Sequence, residues 1–587
     1  MSREFYLGEL FLISEMINMV QMTGGEVIVN CLKKENVKFV HGIPGDQLYP
    51  ILDAIYHDES INFVSYRHEQ SAANAADAWA RVTGQPSVCL GTVGPGAANL
   101  IPGVYAAHAD SIPMIILCAQ NQTWNIYPSH GMTQDLDQIN LFKPITKWQA
   151  IISHWKRIPE LIHWAFRASV SGRPGPVLID CPSDVLFSKN EVEQLNRPIL
   201  EPHQYRHLIN PAASPKVLKE TVEILLQAEY PIIHVGGGGL AANASPEIQA
   251  LAEYLQIPVT TSVFARGVLP DDHPLLLLPV SYGAIAAQSC ADVILLIGGR
   301  MGDMENWGRP PFWNEESKII QIDIEPQNIG LNTRIELGIV GDAKLTILEL
   351  LAIVRQKTTQ VGKREILAEY KATEKSWLDD YEALGRSDQT PLHPLRVIKE
   401  IRDFFPRDAI TIVDGGNTGV WCHYLNRVYE PRTFLWAGDS GHLGVGIGYA
   451  IGSKLAKPDK KVFAIMGDGS FMFNVQDLET ARRLGLHFII CILNDSAYGM
   501  IKAGQKVAYD KRYIGVDFFD VRYDKIAQAM DCFGVRVTEP SGIRSALQSA
   551  VESGKPAIID FIIDREINLE PPDFSTLAGI WLEGCLD

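Results

Sequence analysis

Positive charge is in short supply: 52 lysines and arginines stand against 69 aspartates and glutamates, a formal charge of −17. That balance argues against nucleic acid or an anionic membrane as the main partner. The nine cysteines show neither a CxxC pair nor zinc-like spacing. They read as reduced core residues of a cytoplasmic protein, not as a disulfide framework or a metal cluster. No unbroken apolar run approaches the roughly 18 residues that a membrane-spanning helix needs. Residues 11–20 are partly apolar, but Glu15 interrupts them and Arg3 is the only base in front, so no secretory signal is expected. Heptads, low-complexity tracts and short-period repeats are missing as well.

What is present suits a large soluble fold. With 587 residues, 46% hydrophobic and 21% charged, the chain has material for about three domains. Short β-branched runs alternate with helical periodicity throughout, the pattern of parallel sheets covered by helices on both faces. The expected class is α/β, with three doubly wound parallel-sheet domains at 22–190, 191–355 and 366–587. The segment 180–184 reads as the start of a linker, 196–215 as a Pro- and His-rich linker, and the charged stretch 356–383 as a solvated linker and helix.

The most informative stretch is Met466-Gly-Asp-Gly-Ser470. Residues 461–466 are apolar and β-prone, so Gly467 falls at a strand end and Asp468 at a strand-to-helix turn. There Gly467 and Gly469 let the backbone approach an anion. A helix is expected over about 474–484, then a buried strand over 488–493 whose end delivers Asp495. Two carboxylates at the carboxyl ends of adjacent parallel strands are hard oxygen ligands suited to Mg²⁺ carrying a diphosphate. The same spacing also fits an ordinary strand–helix–strand unit with aspartates in surface loops.

Three further motifs lie in the first domain. Gly42-Ile-Pro-Gly45 follows a strand at 38–41, Arg67-His-Glu69 lies between a strand at 62–66 and a small-residue helix at 72–83, and Gly94-Pro-Gly-Ala-Ala-Asn99 follows a strand at 87–91. Taken alone, Glu69 could cap its helix or pair with Arg67, and His41, His68 and His130 read as structural or solvated. Taken in order with Gly467-Asp-Gly-Ser470 and Asn494-Asp495, these motifs resemble the thiamin diphosphate (ThDP) enzymes of the acetolactate synthase and pyruvate oxidase group. The resemblance spans about 22–565.

The resemblance implies roles. Glu69 would bond to N1′ of the aminopyrimidine, favouring the tautomer whose N4′ takes the proton from thiazolium C2. Asp468, Asp495 and the main-chain carbonyl of Ala497 would hold Mg²⁺, Asp495 departing from the more usual Asn. Pro44, Gly45, Pro95 and Asn99 would join the pyrimidine side. Gly416, Asn417, Thr418, Gly441, His442, Gly467, Gly469, Ser470, Tyr498, Gly499 and Met500 would join the diphosphate and thiazolium side, with Leu443 as the apolar prop that bends the coenzyme. Gln134 is the match for a substrate-facing Gln in the loop 132–138, with Gln120 beside it.

Departures bear on the substrate. The central domain of this group often holds FAD, and Arg300 matches part of its flavin-contacting Gly-x-Arg. The four glycines at 236–239, however, do not spell GxGxxG. Met304 stands where the group has an Arg expected to grip a substrate carboxylate, followed by bulky Trp307, Phe312 and Trp313. Gly504 stands near the place of a Trp that shapes the acceptor pocket. Both departures imply a roomier pocket and larger substrates. The implied reaction is decarboxylation of a 2-oxo acid with carboligation to a second carbonyl, in a homodimer or homotetramer with active sites at the dimer interface. A simple 2-oxo acid decarboxylase, a lyase of the 2-hydroxyacyl-CoA or oxalyl-CoA decarboxylase type, and a non-catalytic ThDP-binding subunit stay open. The tail from 568, with Phe574 and Trp581, is a candidate lid.

Overall fold

The computed structural model describes residues 20–362 and 364–572, in two compact units. The first runs to Leu208, except that Asp77–Gln85 group with the second, which continues from Ile209. The apolar stretch before Val20, and Phe574 and Trp581, lie outside the described residues. Among the described residues no helix is long and apolar enough to cross a membrane.

The first unit is built on a six-stranded sheet, all parallel, in the spatial order Asn62–Ser65, Phe39–Gly42, Ser87–Gly91, Met114–Gln120, Pro176–Pro182 and Trp148–Ile151. Its central strands are buried along their whole length, as expected where helices cover both faces. Helix Gly24–Lys34 starts at a reciprocal capping box: Thr23 Oγ1 accepts from Glu26 N–H, and Glu26 accepts from Thr23 N–H. The segment expected to begin a linker at Asp180 instead completes the strand Pro176–Pro182 and enters helix Ser183–Phe187. Asp180 is fully buried there because its carboxylate is supplied with donors, so a charged residue does not mark the strand's end.

The second unit carries two all-parallel sheets. One has five strands, in the order Val259–Thr261, Pro231–Val235, Val293–Ile297, Lys318–Asp323 and Leu337–Val340. The other has six: Phe434–Trp436, Ile410–Asp414, Val462–Gly467, Ile489–Asn494, Ala557–Ile562 and Phe533–Val537. In this last sheet the chain leaves Ile410–Asp414 for the edge strand, then returns across it to Val462–Gly467. The loops at the carboxyl ends of those two strands therefore diverge and leave a crevice.

One expectation is corrected in this unit. The charged stretch contains helix Glu365–Leu384, which buries Tyr370, Glu374 and Trp377 along one stripe instead of standing in solvent. Glu374 is tolerated inside because Oε1 accepts from Leu278 N–H (2.5 Å) and Ser281 Oγ (3.3 Å), while Lys371 Nζ lies 2.8 Å from Oε2. The helix expected over 474–484 is present from Val475 to Arg483, opening with the tight turn Val475–Asp477 and continuing as helix Leu478–Arg483, and a separate short turn, Asp468–Phe471, precedes it. Asn474 stands just ahead of its first turn with φ −135°, donating its amide to Gly444 O at 2.8 Å.

Candidate active site

The crevice of the last sheet is a cavity of about 370 Å³. Ile410–Asp414 leads into Gly416, Asn417 and Thr418; Val462–Gly467 leads into Asp468; Ile489–Asn494 leads into Asp495, Ala497 and Tyr498. Met500 enters from helix Gly499–Ala508, and the segment 438–444 brings Gly441, His442 and Leu443. All the residues expected on the diphosphate side, Gly467, Gly469, Ser470 and Gly499 included, line this one space. Asp414 holds the segment 438–444 in place: Oδ1 accepts from Gly444 N–H (3.2 Å) and Oδ2 from Gly446 N–H (2.8 Å). Burial pushes its carboxyl up to about 6 despite those bonds.

Asp468 and Asp495 sit just past the paired positions Gly467 and Leu493 of neighbouring strands. Asp468 is 1% exposed, and neither of its carboxylate oxygens has a hydrogen-bond partner. Burial, then the neighbouring Asp495 carboxylate, hold its pKa well above the usual range. Burial raises Asp495 too, opposed by the donor Asn568. Two desolvated carboxylates with unused lone pairs repel each other, and a hard divalent cation relieves both problems. Among the described residues no group of three or more His, Cys, Asp and Glu is placed to hold a metal ion. An ion here would thus combine two carboxylates with neutral oxygens such as a main-chain carbonyl and with phosphate oxygens, which is how Mg²⁺ is commonly held.

One residue of this site was not legible beforehand. Asn568, from the short helix Arg565–Asn568, donates from Nδ2 to Asp495 Oδ2 (2.7 Å). Its Oδ1 accepts from Trp421 Nε1 (2.9 Å), and its main-chain oxygen accepts from Asn417 Nδ2 (2.6 Å). Its partners are far away in sequence and nothing local marks it.

The lining also includes the largely apolar Val263, Val280, Met304, Val420, Tyr424 and Trp436, the last stacked on Phe264 at 5.7 Å. Burial pushes His423 down to about 3 and His442 down to about 4, so both rings are neutral. Among the described residues no lysine or arginine lines this cavity. Of the bulky departures only Met304 reaches it. Trp313 belongs to the core of the five-stranded sheet, its Nε1 donating to Glu305 O at 2.8 Å. Arg300 pairs with Asp439 at 3.3 Å.

In the first unit the strand-end motifs also converge. Glu69 is the first residue of helix Glu69–Thr83, 7% exposed, and its Oε2 accepts from Asn99 Nδ2 (3.0 Å) on helix Pro95–Ala109. Gly45, next to Pro44, lies so close to Thr92 that a Cβ would come within 2.4 Å of Oγ1. The loop holding Gln134 packs on the turn before Pro95: a Cβ on Gly94 would meet Gln134 O at 2.4 Å. His41 is buried, pushed down to about 3, with Nδ1 2.8 Å from Tyr66 Oη.

Gln120 is the last residue of a strand, not part of that loop, and its side chain is committed inward. Nε2 donates to Leu136 O (3.2 Å) and Asp180 Oδ2 (3.3 Å), and Oε1 accepts from Asn121 N–H (2.8 Å). Asp180, unforeseen as a site residue, is the hub: Gln138 Nε2 (2.5 Å) and Tyr127 Oη (3.1 Å) also donate to it, and Gln138 Oε1 accepts from Gly94 N–H (3.0 Å). Burial pushes its carboxyl up to about 7.

Comparison with known proteins matches this layout. Residues 22–141 match the thiamine pyrophosphate enzyme N-terminal TPP binding domain, 218–350 the central domain, and 414–561 the C-terminal TPP binding domain. The chain is 35% identical over 573 residues to a probable acetolactate synthase large subunit of Methanococcus aeolicus, covering 94% of each. It is 35% identical over 577 residues to that of Methanocaldococcus jannaschii, with the same coverage. To the acetolactate synthase large subunit of Corynebacterium glutamicum it is 32% identical over 571 residues, 94% of this chain and 88% of the relative. With three TPP-enzyme domains in order and relatives matched over 94% of its length, the chain belongs to the acetolactate synthase family of thiamin diphosphate-dependent enzymes.

Proposed function

We propose that the protein decarboxylates a 2-oxo acid and joins the remaining acyl fragment to a second carbonyl compound, using ThDP and Mg²⁺, with larger, apolar substrates preferred over the smallest ones. The observation that carries the metal-dependent reading is the buried Asp468–Asp495 pair with both Asp468 oxygens unpartnered. Bound ThDP would supply an acidic thiazolium carbon and an electron sink for loss of CO₂. Asp468, Asp495 and the Ala497 carbonyl would hold Mg²⁺ on the diphosphate. Glu69 would take the hydrogen bond at N1′ of the aminopyrimidine, its carboxylate oriented by Asn99. Leu443 would prop the coenzyme, and the wall of Val263, Val280, Met304 and Trp436 would exclude water from the reacting carbonyl.

The preference for larger substrates rests on that apolar wall and on Met304 in place of a cation. Gln134 would face the substrate from its loop. FAD in the central domain is an alternative occupancy: Gly236 and Gly238 lie against Gly298 at neighbouring strand ends, but Arg300 is engaged with Asp439. Flavin absorbance of the purified protein decides it. A cytoplasmic setting and a homodimer or homotetramer complete the reading.

The test is a panel of 2-oxo acids from pyruvate to aromatic members, with Mg²⁺ and ThDP, with and without an acceptor aldehyde or 2-oxo acid. CO₂ release coupled to a hydroxyketone product, strongest for the bulkier donors, is expected. CO₂ without a coupled product would replace carboligation with simple decarboxylation. A clear preference for pyruvate would remove the larger-substrate reading.

A further inference from the structure

We infer that Asn568 is a positioning residue for the second metal-binding carboxylate, and that Asn568 and Asp495 form a polarity-locked pair in which Trp421 dictates that position 495 be an aspartate. The inference rests on the metal assignment proposed above and adds the residue that orients it.

An indole Nε1–H only donates. The Asn568 atom 2.9 Å from Trp421 Nε1 is therefore the amide oxygen, and the opposite atom, 2.7 Å from Asp495 Oδ2, is the NH₂ group. Asn417 Nδ2 on the Asn568 main-chain oxygen, at 2.6 Å, fixes the residue from a third side. All four side chains are buried. The space they share exists because residue 499 is glycine. A Cβ there would lie 2.8 Å from Asn568 Nδ2, 2.9 Å from Asp495 Oδ2 and 3.2 Å from Asn417 Nδ2.

An NH₂ group aimed at residue 495 requires an acceptor. Aspartate accepts from it while its carboxylate also neighbours Asp468. An asparagine at 495 could satisfy only one side. With its oxygen toward Asn568, its NH₂ would face the cation; with its oxygen toward the cation, two NH₂ groups would meet head on. Either arrangement leaves a buried donor unmatched beside the metal. Exchanging the two residues, Asp495→Asn with Asn568→Asp, restores every donor–acceptor match. The carboxylate moved to position 568 accepts both from Trp421 and from the amide moved to position 495. The oxygen of that amide faces the cation, and the net charge is unchanged.

Mn²⁺ binding, followed by electron paramagnetic resonance on the full-length protein with excess ThDP, reads this without turnover. Asp495→Asn, which changes the ligand itself, should weaken Mn²⁺ by at least the roughly tenfold to hundredfold usual for disturbing a group that only orients a ligand. Asn568→Asp, which sets a second carboxylate against Asp495, should also weaken it, and the double variant should recover most of the loss. Asp495→Asn binding Mn²⁺ like the wild type overturns the inference, as does a double variant no better than that single one. If Asp495→Asn fails to fold, a double variant that folds and binds Mn²⁺ supports the pairing, and one that does not overturns it. A wild type that binds no Mn²⁺ with ThDP sinks the metal assignment, and the inference with it.

Discussion

Asp180 carries a testable burden. Its carboxyl lies fully inside the first unit and receives bonds from Gln120, Gln138 and Tyr127, all of them neutral. Burial raises its pKa from 3.8 to about 7, with Asp137 adding repulsion; the Cys118 and Cys181 thiols next to it are themselves pushed up and stay neutral. The folded protein thus binds this proton more tightly than the unfolded chain does. The stabilisation is fully present below about pH 4 and is lost as pH rises to about 7. Asp180→Asn mimics the neutral form at every pH. The melting temperature of wild type minus variant should therefore fall between about pH 4 and 7 and level off above. A difference independent of pH would mean that Asp180 does not titrate in that window. Because Gln138 also holds Gly94 N–H, loosening Asp180 should disturb the Gln134 loop before it disturbs the core.

At the scale of elements, strands were the easiest part to read. Residues 489–493 are an unbroken buried apolar run, so composition alone marks the strand. The strand-end aspartates were legible for the same reason: once strand ends are placed, the positions after them are placed too. What stayed hidden depends on partners remote in sequence. Asp180 reads as a loop residue until its donors are found, and Asn568 meets Asp495 across 73 positions. Helix Glu365–Leu384 hid differently, since Tyr370, Glu374 and Trp377 form a helical stripe whose middle member is a carboxylate. Its burial gives a prediction. Glu374→Ala leaves Leu278 N–H without an acceptor inside the second unit and should lower stability by about 1–3 kcal/mol, with Glu374→Gln milder. Denaturant unfolding measures it, and an unchanged midpoint for the alanine variant would mean that water replaces the bond.

At the scale of the molecule, sequence carries the family and leaves the assembly open. The candidate proton-relay carboxylate, Glu69, belongs to the first unit, and the candidate metal carboxylates, Asp468 and Asp495, belong to the second. If the working site of the proposed homodimer draws Glu69 from one copy and Asp468 from its partner, the two defects can complement each other. Glu69→Gln blocks the relay and Asp468→Asn the metal, so each variant alone should be nearly silent. Co-expressed, about half of the dimers would be mixed, and each mixed dimer would pair both lesions in one site and keep the other intact. The population should then recover about a quarter of wild-type turnover, because an isologous two-fold pairing makes two equivalent sites. If each copy instead supplies both carboxylates to its own site, no mixing can rebuild an intact one. Continued silence in the co-expressed sample, with mixed dimers verified by differential tags, would therefore place the relay and the metal in the same chain.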